Sequence, residues 1–307
     1  MKNRKWLIKA SIFAWRYLRR LFWLGLFCTL LYAKLIEPNW IEINSLQLTL
    51  PHLAPEFYGY RIVQISDIHR DRWMTTRRLQ RIVHLVNQQQ PDLVTITGDL
   101  VTRHLSPLIP SLKLALEQLT PKERTFAVLG NHDHENDTKT LVKVLEQSGV
   151  SHLCNAVHTI QRGSAMLHIA GVDDVGMGKS RLDLVLQQLP NQGSAILLVH
   201  EPDFANTSAA TGRFDLQLSG HSHGGQIRLP FFKPAILPPW GQKYYSGEYQ
   251  VGEMLLHTNR GVGMTGLHLR FFARPEITVF TLVTAKNGEW MKKQGSRGRR
   301  ELITNDY

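Results

Sequence analysis

A chain of 307 residues, 43% of them hydrophobic, carries enough apolar material for one large domain or two small ones. Its net charge of +11 is concentrated at the ends: residues 1–36 hold eight Lys/Arg and no acid, and residues 286–307 hold six basic residues against three acids. Residues 37–285 hold 22 bases and 22 acids, which excludes a nucleic-acid-binding surface as the main business of the body and predicts no nucleic-acid partner.

The first element in chain order is an uncharged apolar run, Leu21 to Ala33, followed by Lys34, Leu35 and Ile36. Thirteen helical residues span only about 20 Å of a hydrocarbon core that is about 30 Å thick. Lys34 can snorkel, and the aromatic residues at both ends suit an interface, which lengthens the workable span to about residues 21–36. A retained membrane anchor, with the lipid bilayer as partner, is therefore expected. Basic residues precede the run, so the N-terminus is expected in the cytoplasm of a bacterial-type plasma membrane, with the body across it. No small-x-small cleavage site follows the run. Arg19 and Arg20 before Leu21 resemble a twin-arginine export signal. Cys28 and Cys154 have no ligand spacing and predict no structural disulfide.

After a connector at Pro38 the residues IEINSLQLTLP alternate as a strand. The body, residues 37–285, then repeats one theme: a β-branched run, a polar cluster, a helix-period segment. YRIVQIS ends at Asp67. The following helix puts Leu79, Ile82, Val83 and Val86 on one face, with Thr75 or Thr76 as its cap. DLVTIT ends at Gly98–Asp99, a helical stretch covers about 112–119, RTFAVL ends at Gly130–Asn131, and TKTLVKVLEQSG is a helix closed by Gly149. The second half reads MLHIAGV, AILLV, LQL, GQIRL, MLLHT and EITVFTL as strands, with one helix over 180–189. That order predicts two sheets packed face to face with helices outside. Residues 286–307 lack apolar periodicity and read as a basic mobile tail.

Polar clusters gather at the carboxyl ends of these strands, where α/β sheets build sites. They supply Asp67 and His69, Asp99, Asn131 and His132, His200, and His221 and His223. Oxygen and imidazole nitrogen donors without thiolate suit hard-to-borderline cations. Residues i and i+2 on an extended or just-turning backbone project to one side, so Asp67 and His69 can share an ion, and the same spacing recurs at His221 and His223. A carboxylate such as Asp99 can bridge two cations, and two ions about 3.5–4 Å apart can clamp an in-line phosphoryl displacement. Asp133 is expected to support the site through hydrogen bonds, and His134 reads as a loop residue. Asp173–Asp174 fits either a loop approaching the site or a solvated turn. Arg260 and Arg274 fit either a phosphate contact or a brace for the sheet. The remaining histidines read as structural or surface residues.

The blocks DIH, GDL, GNHD, VHEP and GHSHGGQ, in this order, resemble the calcineurin-like metallophosphoesterase superfamily over about residues 61–282. The later segment TNRGVGMTGLHLRFFARPEI, with the anchor, is similar to membrane-associated phosphodiesterases of the YkuE/YaeI type. The resemblance implies a four-layer α/β/β/α sandwich of two mixed sheets. It implies two divalent metal ions per chain (Mn, Fe or Zn). Asp67, His69 and His223 would hold the first, Asp99 would bridge, and Asn131, His200 and His221 would hold the second. His132 would face the substrate as the catalytic acid. The function implied is hydrolysis of a phosphodiester or pyrophosphate bond in a phosphorylated small molecule or a lipid. Alternatives are a UDP-2,3-diacylglucosamine pyrophosphate hydrolase, which would need the domain on the cytoplasmic face, and a non-catalytic metal-binding scaffold.

Overall fold

A computed structural model describes residues 2–102, 106–284 and 299–302. Helix α1 (Lys2–Leu31) comes first, and every side chain from Ser11 to Leu31 is exposed, so the helix stands clear of the body. It begins well before the apolar run, and its 30 residues correspond to about 45 Å. A short turn, Tyr32–Ile36, then delivers the chain to strand β1 (Glu42–Leu50).

The repeating strand–helix theme appears as β2 (Arg61–Ile65), α2 (Thr76–Gln88), β3 (Leu93–Thr97), α3 (Ile109–Leu116), β4 (Arg124–Val128), α4 (Asn131–His134), α5 (Thr138–Gln147) and β5 (Val150–His152). Thr75 is the cap of α2, its hydroxyl accepting from Arg78 N–H at 3.4 Å, and Asp137 caps α5 through Thr140 N–H at 3.2 Å. The second half contributes β6 (Ala156–Arg162), β7 (Ala165–Gly171), α6 (Leu182–Gln188), β8 (Ser194–Leu198), α7 (Ala205–Ala209), β9 (Leu216–Ser219), β10 (Gly247–Val251) and β11 (Met254–Thr258). Strand β12 (Glu276–Thr284) then returns to the first sheet, and β13 (Arg299–Leu302) pairs antiparallel with β1. The sequence reads 286–307 as a tail without structure. Residues 299–302 instead cover the open hydrogen-bonding edge of β1, and the rest of that segment lies outside the described residues.

The sheets run β13-β1-β12-β2-β3-β4-β5 and β10-β11-β9-β8-β7-β6. Both are mixed. Strands β2 to β5 are mutually parallel, as are β7, β8, β9 and β11, with antiparallel β6 and β10 at the edges of the second sheet. Three hydrophobic layers separate four structural ones. Val63, Ile65, Val94 and Ile96 pack under α2, α3 and α5. Ile62, Phe126, Leu198, Leu218 and Phe280 fill the space between the sheets. Ala195, Leu197 and Leu256 pack under Val185 of α6 and Ala205 of α7. Adjacent residues such as Leu197 and Leu198 point to opposite faces, the period-two alternation that lets one strand line two cores. The architecture is the α/β/β/α sandwich expected.

One expected strand is absent. GQIRL does not form one, because Gly224, Gly225 and Gln226 have φ of 61°, 81° and 50°, which turns the chain before Ile227 makes a single bridge to Phe271. Phe280, fully buried between the sheets, tests the layer arrangement. Phe280→Ala is expected to cost about 3–5 kcal/mol, read as a lowered midpoint of chemical denaturation. A change below about 1 kcal/mol, the ordinary range of a surface substitution, would contradict a filled inter-sheet core.

Candidate metal centre

The ligand-type residues sit where β2, β3, β4, β8 and β9 end, and the local backbone there is not extended. Asp67, His69, Asp99, His221 and His223 all have positive φ, between 47° and 72°. Asp and His are among the residues that tolerate this region, and clustered strain of this kind accompanies functional sites. The i and i+2 pairs therefore converge through left-handed turns rather than through strand alternation. These turns are locked by neighbours: Asp67 N–H donates to Gly98 O at 3.0 Å and His69 N–H to Asp99 O at 2.9 Å. Gly98, at φ 89°, has no room for a side chain, since a Cβ would press on the His200 ring.

Asp99 stands at the middle. Its Oδ1 accepts from His132 N–H at 3.0 Å, and its Oδ2 lies 3.4 Å from His69 Nε2 and 3.3 Å from His200 Nε2. On one side His69 Nε2 faces His223 Nε2 at 3.0 Å, with Asp67 Oδ1 3.4 Å from the latter and 4.0 Å from His69 Nε2. On the other side His200 Nε2 faces His221 Nδ1 at 3.1 Å. His221 N–H donates to both Asp67 oxygens, at 3.1 and 3.0 Å, and Ser222 turns away to donate to Tyr245 O at 2.6 Å.

The tautomers follow from the outer partners. A carbonyl only accepts, so His200 Nδ1–H donates to Thr97 O at 2.8 Å and His221 Nε2–H donates to Pro239 O at 2.8 Å. In their neutral forms both rings then present lone pairs to each other across 3.1 Å, which calls for a cation between or beside them. Burial works against ionisation of Asp99, yet His200, His69 and His132 hold its carboxyl well below the usual carboxylate range. Burial likewise opposes charge on His200, and Asp99 overrides it, raising that imidazole well above its ordinary value. Burial lowers His69 to about 4 and, with the charge of His200, His221 to about 4, while burial and His69 lower His223 well below its ordinary value. Burial raises Asp67 to about 6. Burial thus favours the neutral, metal-binding form of His69, His221 and His223, while Asp99 favours the charged form of His200.

Donor atoms of Asp67, His69 and His223 lie within 4.8 Å of one another, and so do those of Asp99, His200 and His221. A third such group joins His69, Asp99 and His132. Asn131 Oδ1 is buried without a hydrogen-bond partner beside this cluster, an acceptor that a cation would satisfy. The donor set of carboxylate, amide oxygen and imidazole fits divalent ions. His132 differs from its neighbours. Its side chain is 21% exposed against 0% for His69 and His200 and 6% for His223, so His132 and the partly exposed His221 are the rings open to an incoming substrate.

Supporting residues are buried around this centre. Asp133 accepts from Val101 N–H at 3.1 Å and Gly130 N–H at 3.0 Å, which anchors α4 as expected. His134 Nε2 meets Asp173 Oδ1 at 2.7 Å, tying α4 to the loop after β7. Asp173 and Asp174 are buried rather than a solvated turn. Glu201, which the sequence reading passes over, accepts from Val175 N–H at 3.0 Å and Gly176 N–H at 2.8 Å and fixes that same loop beside His200. Burial raises its carboxyl to about 7. Arg260 braces the sheet through Glu276 at 2.7 Å and Glu42 at 3.1 Å, and Arg274 stacks on Trp40 at 3.6 Å. Arg270, also missed, is fully buried and donates to the carbonyls of Ala273, Arg260, Gly261 and Gly263. It shapes the turn whose Gly263 N–H donates to Asp67 O at 2.7 Å.

Comparison with known proteins agrees with this site. The family model for calcineurin-like phosphoesterases matches residues 60–225. The chain is 37% identical to the metallophosphoesterase YkuE of Bacillus subtilis, over 82% of this chain and 88% of that protein. It is 29% identical to the phosphodiesterase YaeI of Escherichia coli, over 82% of this chain and 94% of that protein. A Danio rerio transmembrane protein with a metallophosphoesterase domain is 30% identical over 80% of this chain and 58% of its own length. With five ligand-bearing strand ends converging on Asp99 and the family model spanning them, this chain belongs to the calcineurin-like phosphoesterase family.

Proposed function

We propose that the protein is a membrane-anchored, two-metal phosphodiesterase acting on phosphodiester or pyrophosphate bonds. The observation that carries this reading is the pair of imidazole couples, His69–His223 and His200–His221, set on either side of Asp99. Asp67, His69 and His223 would hold one ion, Asn131, His200 and His221 the other, with Asp99 between them. When bound, divalent ions at such a site supply Lewis acidity to the phosphoryl group and lower the pKa of water into the neutral range. The protein supplies the rest. His200 and His221 are oriented by their carbonyl partners, Asp99 is aimed by His132 N–H, and the His132 ring, whose Nδ1 lies 3.5 Å from Glu135, would give a proton to the leaving oxygen. A similarity to YaeI, named a phosphodiesterase, supports diester over monoester chemistry. The exposed apolar helix α1 supports a membrane anchor and, with it, a lipid substrate.

His132→Ala should lower kcat for bis-p-nitrophenyl phosphate about 10²–10⁴-fold while bound metal, measured by inductively coupled plasma mass spectrometry, stays at the wild-type level. Unchanged kcat would remove His132 from the reaction, and wild-type protein that is inactive with every divalent metal would favour a scaffold role. Topology is tested separately. The basic residues before α1's apolar half support a cytoplasmic N-terminus, so alkaline phosphatase fused after Asp306 should be active and green fluorescent protein fused there dark. The reverse pattern would put the domain on the cytoplasmic face, where a nucleotide-linked lipid becomes the better substrate.

A further inference from the structure

We infer that the loop of residues 227–240, together with Leu267 and Phe272, forms a second membrane contact that seats the catalytic end of the sandwich on the lipid surface. The inference rests on the anchored reading of α1 but concerns a different surface. Phe231, Ile236, Phe232 and Leu229 are 105%, 84%, 69% and 62% exposed, and Leu267 and Phe272 are 69% and 54% exposed. Isolated exposed apolar residues are ordinary, but a cluster of this size on two adjoining loops marks an interaction surface. Four prolines, Pro230, Pro234, Pro238 and Pro239, stiffen the segment, so its side chains are presented rather than collapsed.

The topology says which partner covers it. Strand β1 runs parallel to β12, with Glu42 opposite Glu276, and β12 runs antiparallel to β2, with Thr278 opposite Gln64. The start of β1, where α1 enters, is therefore at the end of the sandwich where β2 delivers Asp67. The two loops are bonded into that entry. Arg270 N–H donates to Ala33 O at 2.9 Å, Ala273 N–H to Glu37 Oε1 at 2.6 Å, and the Tyr32 and Phe271 rings meet edge to face at 6.3 Å. Arg228 N–H donates to Phe271 O at 2.8 Å and Phe271 N–H to Gln226 O at 3.0 Å, so the apolar loop continues from the anchor's own docking site. Gln226 lies three residues after His223.

Charge points the same way. From His221 to Gly247 there is no acid, while Arg228, Lys233 and Lys243 are basic. An apolar loop rimmed by cations and continuous with a membrane helix matches an anionic lipid surface. Seated so, the loop would bring the metal centre to headgroup level, where a phosphodiester of a membrane lipid lies.

The test uses the full chain carrying Cys28→Ser and Cys154→Ser, reconstituted in vesicles of phosphatidylethanolamine and phosphatidylglycerol. Single cysteines at Phe231→Cys, Ile236→Cys, Leu24→Cys and Ser164→Cys are labelled with a polarity-sensitive fluorophore, with doxyl lipids as quencher. Phe231→Cys and Ile236→Cys should emit to the blue of Ser164→Cys, at the far end of the sandwich, and be quenched by doxyl lipid. Emission and quenching equal to Ser164→Cys would overturn the inference. So would a blue shift that persists without lipid and grows with protein concentration, because a second copy would then be the occupant. Leu24→Cys reports the anchor on its own: an aqueous signal there fails the anchor, while Phe231→Cys still decides the loop.

Discussion

The carboxylate of Asp99 is the constraint on which the rest of the site depends. It sits at the end of β3, fully enclosed between the two sheets, and meets His69, His200 and the His132 backbone within 3.4 Å. A buried carboxylate is tolerable only when cations and donors compensate it. Two imidazoles and one backbone N–H, drawn from three different strand ends, do so here, which obliges the ends of β2, β4 and β8 to converge. The two-sheet sandwich provides that convergence. β2, β3 and β4 come from one sheet and β8 and β9 from the other, and the inter-sheet core around Phe280 holds them at fixed separation.

That convergence demands close backbone approach and strained turns. Gly220 has no space for a side chain between Ser66 and Asp67, which lets His221 N–H reach both Asp67 oxygens. Backbone hydrogen bonds to the neighbouring strand end hold two of the left-handed residues, Asp67 through Gly98 O and His69 through Asp99 O, while His221 N–H is held by the Asp67 carboxylate. The consequence is a preformed arrangement: the His200 and His221 rings are oriented by carbonyls that belong to the fold.

Much of this was legible in the sequence because strand ends with Asp, His and Gly are local patterns. Asp67, His69, Asp99, Asn131, His132, His200, His221 and His223 all fall at the same end of the sandwich. The reason for the spacing was not legible: i and i+2 converge through positive φ, which the letters D-I-H and H-S-H do not announce. GQIRL reads as a strand by alternation, yet Gly224 before it and Gly225 and Gln226 at its start turn the chain. The edge strands β6 and β10 carry too few apolar residues to stand out. Glu201 acts through Val175 and Gly176, distant in sequence, and Arg270 through carbonyls of its own loop, contacts that no residue pattern announces, so only the folded chain reveals them.

His221 and His223, two residues apart on one turn, face different partners: His200 for the first and His69 for the second. In the proposed two-metal reading this turn serves two ions with Asp99 between them. Anomalous diffraction from crystals of the manganese-loaded protein measures it most directly. Two peaks should flank Asp99, one against Asp67, His69 and His223 and one against Asn131, His200 and His221. A single peak ligated by both His221 and His223, or none at all, would contradict it.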